Sequence, residues 1–397
     1  YPALFLSSFQ PGTILKGGLK SGAQKALAKR TLLVIQFAVA ILLIISTTVV
    51  YKQLEYIRNK NLGYDKNYIV YIPLLDNLSK EYEAIKTELL KYSDIKGVTA
   101  SSQLPVYFGN FTMSVDWETK GADESFLINT SFVDYNFIDI FNIQLVQGRN
   151  FSKEYSTDQG YAYLVNEAAV KKMGLKSPAG KRFSIWNREG VIIGVVKDFH
   201  FRSLHKEIEP LALMVMPGDY DYLFAKINSG HIFNTVQFIK KIWRKFAPDE
   251  PFQYAFLDET IDRLYRSEQQ TGRMMTYFAA LALFISCLGL FGLVSYMAQT
   301  RTKEIGVRKV LGTSVANITK LLTADFTKWI LISNLIAWPI AWYVMNKWLQ
   351  SFAYRINVSW WIFVLAGGLA LVIALLTVSY QAIKTATANP LEALRYE

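Results

Sequence analysis

The chain has 397 residues, 51% of them apolar, and a formal net charge of +11 from 43 Lys and Arg against 32 Asp and Glu. A lone cysteine, Cys287, rules out an intrachain disulfide and gives no basis for thiolate–zinc or thiol redox chemistry. The basic excess is not spread over a folded domain, as nucleic-acid binding would need; it sits in short segments between long uncharged runs.

Residues 1–30 carry Lys16, Lys20, Lys25, Lys29 and Arg30 and no acid. Tyr1, Ala3, Pro11, Leu15 and Lys16 fall in register with Tyr380, Ala382, Pro390, Leu394 and Arg395. That echo reads as the end of an earlier repeat, against chance agreement in a short stretch. It makes 1–30 the cytoplasmic segment after a preceding membrane helix, and a start without Met fits an excerpted chain. Residues 31–51 are uncharged and rich in Leu, Ile and Val, long enough to cross a hydrocarbon core of about 30 Å. A signal peptide has a shorter apolar core and a small-residue cleavage site, whereas here Tyr51 runs into a charged helical pattern.

Residues 52–272 form the expected extracytoplasmic domain. Within it 68–72 reads as a strand, 80–92 as a helix with Tyr82, Ile85, Leu89 and Tyr92 on one face, and 98–104 as a strand. The order recurs at 222–227, at 234–246 with Val236, Ile239, Trp243 and Phe246, and at 252–257. Two β-α-β units thus frame an insertion at about 105–220, long enough to be a subdomain. The insertion has β-rich character, punctuated by Gly148, Gly160, Pro178, Gly180 and Gly190, with a short helix at 165–173 that Asn166 caps. Residues 52–58 extend the first span and 257–266 lead helically into the second, with Asp258 or Thr260 as cap, so the pair is expected to form a stalk.

The second span is read at 273–298. It is followed at 299–320 by Arg301, Lys303, Arg308, Lys309 and Lys320 against the single acid Glu304. Spans three and four follow at 321–346 and 356–383, and a short tail at 384–397. The segment 52–298 is neutral overall, so the bases concentrate at the N-terminus and after span two. By the positive-inside rule both are cytoplasmic, as is the tail, and the large domain lies outside. Trp338, Trp342, Trp348, Trp360 and Trp361 bracket the outer ends of the last two spans as an interfacial belt. Asp325 and Lys328 at the start of span three read as an interfacial or snorkelling pair rather than a proton relay.

The run Arg301-Thr-Lys-Glu-Ile-Gly-Val-Arg-Lys-Val-Leu-Gly312 carries the strongest functional signal. On a helix Val307, Val310, Leu311 and Ser314 share one face, Glu304 reaches Arg308 at i+4, and Gly312 suits a left-handed stop. A loop that serves topology alone needs no apolar face. The pattern fits a handle gripped by another protein, the alternative being an interfacial helix lying on lipid.

That run, with the closing motif Asn389-Pro-Leu-Glu-Ala-Leu-Arg395, resembles the coupling-helix region and C-terminal signature of MacB/FtsX-type ABC transporter permeases. The order of one span, a large outer domain and three spans is similar too, and matches the second half of their eight-span forms. The resemblance implies an α+β membrane protein of the bacterial inner membrane. Four transmembrane helices would carry an extracytoplasmic MacB-type periplasmic core domain, made of two β-α-β units plus the β-rich insertion. It further implies that Arg301, Lys303, Glu304, Ile305, Gly306, Val307, Arg308, Lys309, Leu311 and Gly312 dock on an ABC ATPase subunit. ATP and Mg would sit on that ATPase and no cofactor in this chain. The other implied partners are a second permease half or copy, the lipid bilayer, and a periplasmic adaptor or envelope protein.

A P-loop needs glycine before its Lys-Ser, and Lys20-Ser21 follows Leu19, so hydrolysis is expected from the partner. The implied function is ATP-driven export or extraction by mechanotransmission. A regulatory role, FtsX-like or peptide-sensing, stays open beside it. A membrane-anchored enzyme would need clustered acid, base or nucleophile residues in the outer domain, and none stands out. His200, His205 and His231 lack metal-ligand spacing and read as structural.

Overall fold

The structure, a computed structural model, describes residues 20–74, 76–121, 124–300 and 313–387. In chain order the helix α1 (Lys20–Asn59) is followed by β1 (Ile69–Pro73), α2 (Tyr82–Leu89), β2 (Ile95–Ser101), β3 (Phe111–Thr112), β4 (Val115–Trp117) and β5 (Ile128–Phe132). Next come α3 (Phe137–Ile140), β6 (Leu145–Gly148), β7 (Ala162–Asn166), α4 (Glu167–Met173), β8 (Arg182–Ile185), β9 (Arg188–Val196), β10 (Leu211–Met214) and β11 (Tyr222–Ile227). The chain closes with α5 (Ile232–Phe246), β12 (Ala255–Phe256), α6 (Leu257–Leu264), α7 (Arg266–Thr300), α8 (Val315–Leu349) and α9 (Trp360–Thr387). It divides into a helical unit (1–54, 268–351 and 355–397) and an α/β unit (55–267 with 352–354).

In the α/β unit the two β-α-β units interleave. The sheet order is β12-β1-β11-β2 with every neighbouring pair antiparallel, so β1 and β2 run parallel with β11 between them, and β11 and β12 run parallel with β1 between them. This is the split β-α-β arrangement. The 3.6-residue spacing puts Tyr82, Ile85 and Leu89 of α2 and Val236, Ile239 and Trp243 of α5 on the buried faces that cover the sheet. Period-2 alternation supplies the matching residues Val70, Ile72, Val98, Ala100, Leu223 and Ala225. The second strand ends earlier than its apolar run, because the Gln103 side chain turns the chain. Its Oε1 accepts from the Gly109 and Asn110 amides and its Nε2 donates to Thr130 O. The last strand is only two residues long, pairing with Val70 and Tyr71, while Phe252 stacks on Tyr254 instead.

The insertion between β2 and β11 builds a second sheet in the order β3-β5-β10-β7-β9-β8-β4, with β6 on β9. Strands β3 and β4 are two residues apart in sequence yet lie at opposite ends of that order, so the sheet must curl on itself. The Trp186 amide, donating to Ser114 O, helps draw the edges together. Inside are Trp117, Ile128, Tyr163, Phe183, Ile192 and Met214, with α4 contributing Ala169 and Met173. Asn166 caps α4 by accepting from the Ala169 amide at 3.0 Å, as its position predicts. Gly148, at φ +81°, could not carry a side chain: a Cβ there would stand 2.2 Å from Ile193 O.

Among the described residues four helices are long and apolar enough to cross a membrane, over 27–59, 266–297, 323–349 and 360–384. Small residues, Ala337, Ala341, Ala366, Ala370 and Ala374, line the interior with Ile41, Ile45, Phe37 and Leu290. Ser333 Oγ lies 3.1 Å from Val34 O, a polar tie between α1 and α8. The last helix starts at Trp360, later than the uncharged run that begins at Ile356, and the Ile356 amide donates to Gln53 Oε1 at 2.9 Å.

Two expectations about the stalk are revised. Neither Asp258 nor Thr260 caps α6: the N-cap is Phe256, Asp258 Oδ1 accepts from the adjacent Glu259 amide, and Thr260 Oγ1 meets Phe256 O and the Tyr71 hydroxyl. The run 257–266 is also not one helix. It breaks at Tyr265 (φ −108°, ψ 20°), whose ring is buried within the α/β unit.

Candidate functional site

The predicted docking stretch, Arg301 to Gly312, lies outside the described residues, as does the closing motif at 389–395. Its C-terminal flank is described: Ser314 caps α8, with the Asn317 amide 3.4 Å from Ser314 Oγ. The described residues instead reveal how the α/β unit is tied together at the points where the chain enters, leaves and returns to it.

The return is Phe352–Tyr354, a segment that follows α8 and belongs to the α/β unit. Phe352 is 1% exposed and stacks on His205, ring centroids 4.0 Å apart. His205 Nδ1 lies 2.8 Å from Ser203 Oγ, and the ring also stacks with Tyr265 at 6.1 Å. The Leu204 amide donates to the Tyr265 hydroxyl at 2.9 Å, and Leu204 O accepts from the Tyr354 amide at 3.2 Å. Tyr354 receives His200 edge-on at 4.5 Å and the Lys60 ammonium over its face at 5.2 Å. Residues just after α1, just before α7 and just after α8 therefore meet in one cluster. Its cost of order is met by aromatic stacking and by satisfied backbone groups.

Burial, with Lys60 nearby, pushes the His200 imidazole down to about 4, so the ring is neutral at physiological pH. Both rings pack on aromatic neighbours, His200 on Tyr354 and His205 on Phe352. Among the described residues no group of three or more His, Cys, Asp or Glu is placed to hold a metal ion.

A second cluster staples the curled sheet to the split β-α-β sheet. Asp134, just after β5, is buried and receives the Tyr82 hydroxyl and the Lys86 ammonium, each at 2.5 Å, from α2. Its own amide donates to Ala100 O on β2, and Lys86 also reaches Asn136 Oδ1 at 3.2 Å. Burial first, then the Asp134 charge, pushes the Tyr82 phenol far above its ordinary range. Arg149 grips the buried Asp158 through two bonds of 2.6 and 2.7 Å, ordering the loop before β7. Both clusters join chain segments that lie far apart in sequence.

Sequence reasoning missed both clusters. Their members lie far apart in the chain, Lys86 from Asp134 and His205 from Phe352, and no periodicity links them. The one available signal was an apolar Phe352 in a connection too short to need a core of its own.

Comparison with known proteins covers both units. Residues 31–236 match the family model of the MacB-like periplasmic core domain, and residues 276–390 that of the FtsX-like permease C-terminal region. An uncharacterized ABC transporter permease of Bacillus subtilis, YknZ, is 18% identical over 340 residues, 83% of this chain and 85% of that protein. The macrolide export ATP-binding/permease protein MacB of Nitrobacter winogradskyi is 20% identical over 194 residues, 46% of this chain and 30% of that protein. The crystal structure of the periplasmic region of MacB from Actinobacillus actinomycetemcomitans is similar over 53% of this chain and 97% of its own, with 15% identity and a TM-score of 0.37.

Proposed function

Because the chain belongs to the MacB/FtsX-type family of ABC transporter permeases, we propose that it couples ATP hydrolysis by a partner ATPase to movement of its α/β unit. That movement drives export or extraction of a substrate by mechanotransmission, with no need for the substrate to pass between the spans. The observation that carries this reading is that separate family models cover the α/β unit and the last three helices of one chain. The name of the MacB relative, a macrolide exporter, favours export.

In this reading 301–312 docks on the ATPase. Glu304 and Arg308 pair along the helix, Val307 and Leu311 form the seated apolar face, Arg301, Lys303 and Lys309 meet acidic groups of the partner, and Ile305, Gly306 and Gly312 shape the segment. ATP and Mg belong to the partner. The concentration of bases at 1–30 and 299–320 supports a cytoplasmic side for these segments and the opposite side of the bacterial inner membrane for the α/β unit. The test is Glu304→Ala with Arg308→Ala in the full chain, co-expressed with its ATPase. Loss of ATPase co-purification, or of its stimulation, is expected; unchanged recovery together with unchanged stimulation refutes the docking assignment.

A further inference from the structure

A groove of about 880 Å³ opens between α8 and α9 near the first turns of α8, lined by Thr319, Lys320, Thr323, Thr327, Lys328 and Ser379, among others. With about 100° per residue on a helix, Thr319, Thr323, Thr327, Lys320, Ala324 and Lys328 sweep one face of α8, and Asp325 lies off that face, about 60° round from its i+3 neighbour Lys328. Thr323 and Thr327 spend their hydroxyl protons on the carbonyls one turn back, at 2.7 and 2.9 Å. What they turn to the groove is methyl and lone pair, and Ala324 and Ile383 add apolar wall.

Both lysines are exposed, and they stand at different depths. Lys320 precedes the apolar span that starts at 323, while Lys328 lies roughly 7 Å inside it. An ammonium rooted at that depth extends toward the interface, which brings it closer to the level of Lys320. A paired positive charge above apolar walls, on a helix long and apolar enough to cross a bilayer, matches one occupant.

We propose that this groove binds an anionic phospholipid, its phosphate between Lys320 and Lys328 and an acyl chain along Ala324 and Ile383. A zwitterionic lipid shares the phosphate but carries a cation that these lysines repel.

The full chain in a non-ionic detergent, given equal phosphatidylglycerol and phosphatidylcholine of the same acyl chains, tests this by native mass spectrometry. Phosphatidylglycerol is expected to be retained in preference. Each of Lys320→Gln and Lys328→Gln should weaken that retention about fivefold, and Lys347→Gln, at the far end of α8, should leave it unchanged. Equal retention of the two lipids overturns the proposal. So does a double Lys320→Gln, Lys328→Gln variant that keeps the preference, and so does absence of any bound lipid, the result if another part of the chain occupies the groove.

Discussion

Phe352 lies over the imidazole of His205, with 4.0 Å between ring centroids and 27° between ring planes. A connection between two long apolar helices thus leaves a phenyl ring in the core of the α/β unit. Removing a buried phenyl ring costs about 3 to 5 kcal/mol when the surroundings cannot collapse. Local release of 352–354 ahead of global unfolding would cap the global loss. Phe352→Ala is therefore expected to speed hydrogen exchange at the Tyr354 and Leu204 amides by far more than it lowers the unfolding free energy. Exchange mass spectrometry on the purified chain reads both, and unchanged exchange at Tyr354 would show that the stack does not hold the segment.

Asp134 Oδ2 takes both its donors from α2, while Oδ1 accepts from the Tyr135 amide at 2.8 Å. Lys86→Met leaves the buried carboxylate without its cation, with the Tyr82 hydroxyl as the side-chain donor that remains on Oδ2, and breaking a buried pair on one side costs about 3 to 5 kcal/mol. Tyr82→Phe removes one neutral donor and should cost about 1 to 2 kcal/mol. The two losses should not add, because both variants strand the same oxygen atom, Oδ2. Urea denaturation of the single and double variants completes the cycle; strict additivity would mean the two donors act independently.

His200 makes stability depend on pH in a defined window. Its ordinary value is 6.5 and burial, with Lys60 nearby, brings it to about 4 in the folded chain. Above 6.5 both states are neutral and the group has no effect. As pH falls below 6.5 the unfolded chain takes up a proton that the folded chain refuses, so stability declines until about pH 4. Allowing for partial solvent access to the ring, the loss is about 1 to 2 kcal/mol. Between pH 7.5 and 4.5 the wild type should lose more stability than His200→Gln, with equal slopes as the contrary result.

Where order is local, the sequence disclosed it. Tyr82, Ile85 and Leu89 repeat at helical spacing because one face of α2 is buried, and Asn166 announces its helix because capping is settled within three residues. Non-local pairing was hidden. Two β-α-β units read alike whether they lie side by side or interleave, and only the register of β11 between β1 and β2 decides. The break at Tyr265 was hidden for the same reason, since its helical neighbours are favourable and the buried hydroxyl's partner, the Leu204 amide, comes from a distant loop. The docking role of 301–312 rests on charge and apolar pattern, since that stretch lies outside the described residues, and its test is therefore biochemical.

A tight contact between α8 and α9 fixes a further expectation. A Cβ on Gly367 would stand 2.1 Å from Asn334 Oδ1. That oxygen cannot simply swing aside, because it accepts the Trp338 Nε1 proton at 3.0 Å while Nδ2 donates to Ile330 O at 3.0 Å. Gly367→Ala should therefore force the helices apart or break the Asn334–Trp338 bond, costing about 1 to 3 kcal/mol. The neighbouring Gly368 supplies the control, since nothing lies within 4 Å of its Cβ position. Gly368→Ala should be neutral or stabilising by up to about 1 kcal/mol through helix propensity. Asn334→Ala alone strands the Trp338 proton, but combined with Gly367→Ala it also removes the clashing oxygen, so the double variant should be less damaged than the sum of the two. Thermal unfolding of the four variants in detergent measures the difference. If Gly367→Ala and Gly368→Ala melt alike, the helices do not meet at Asn334.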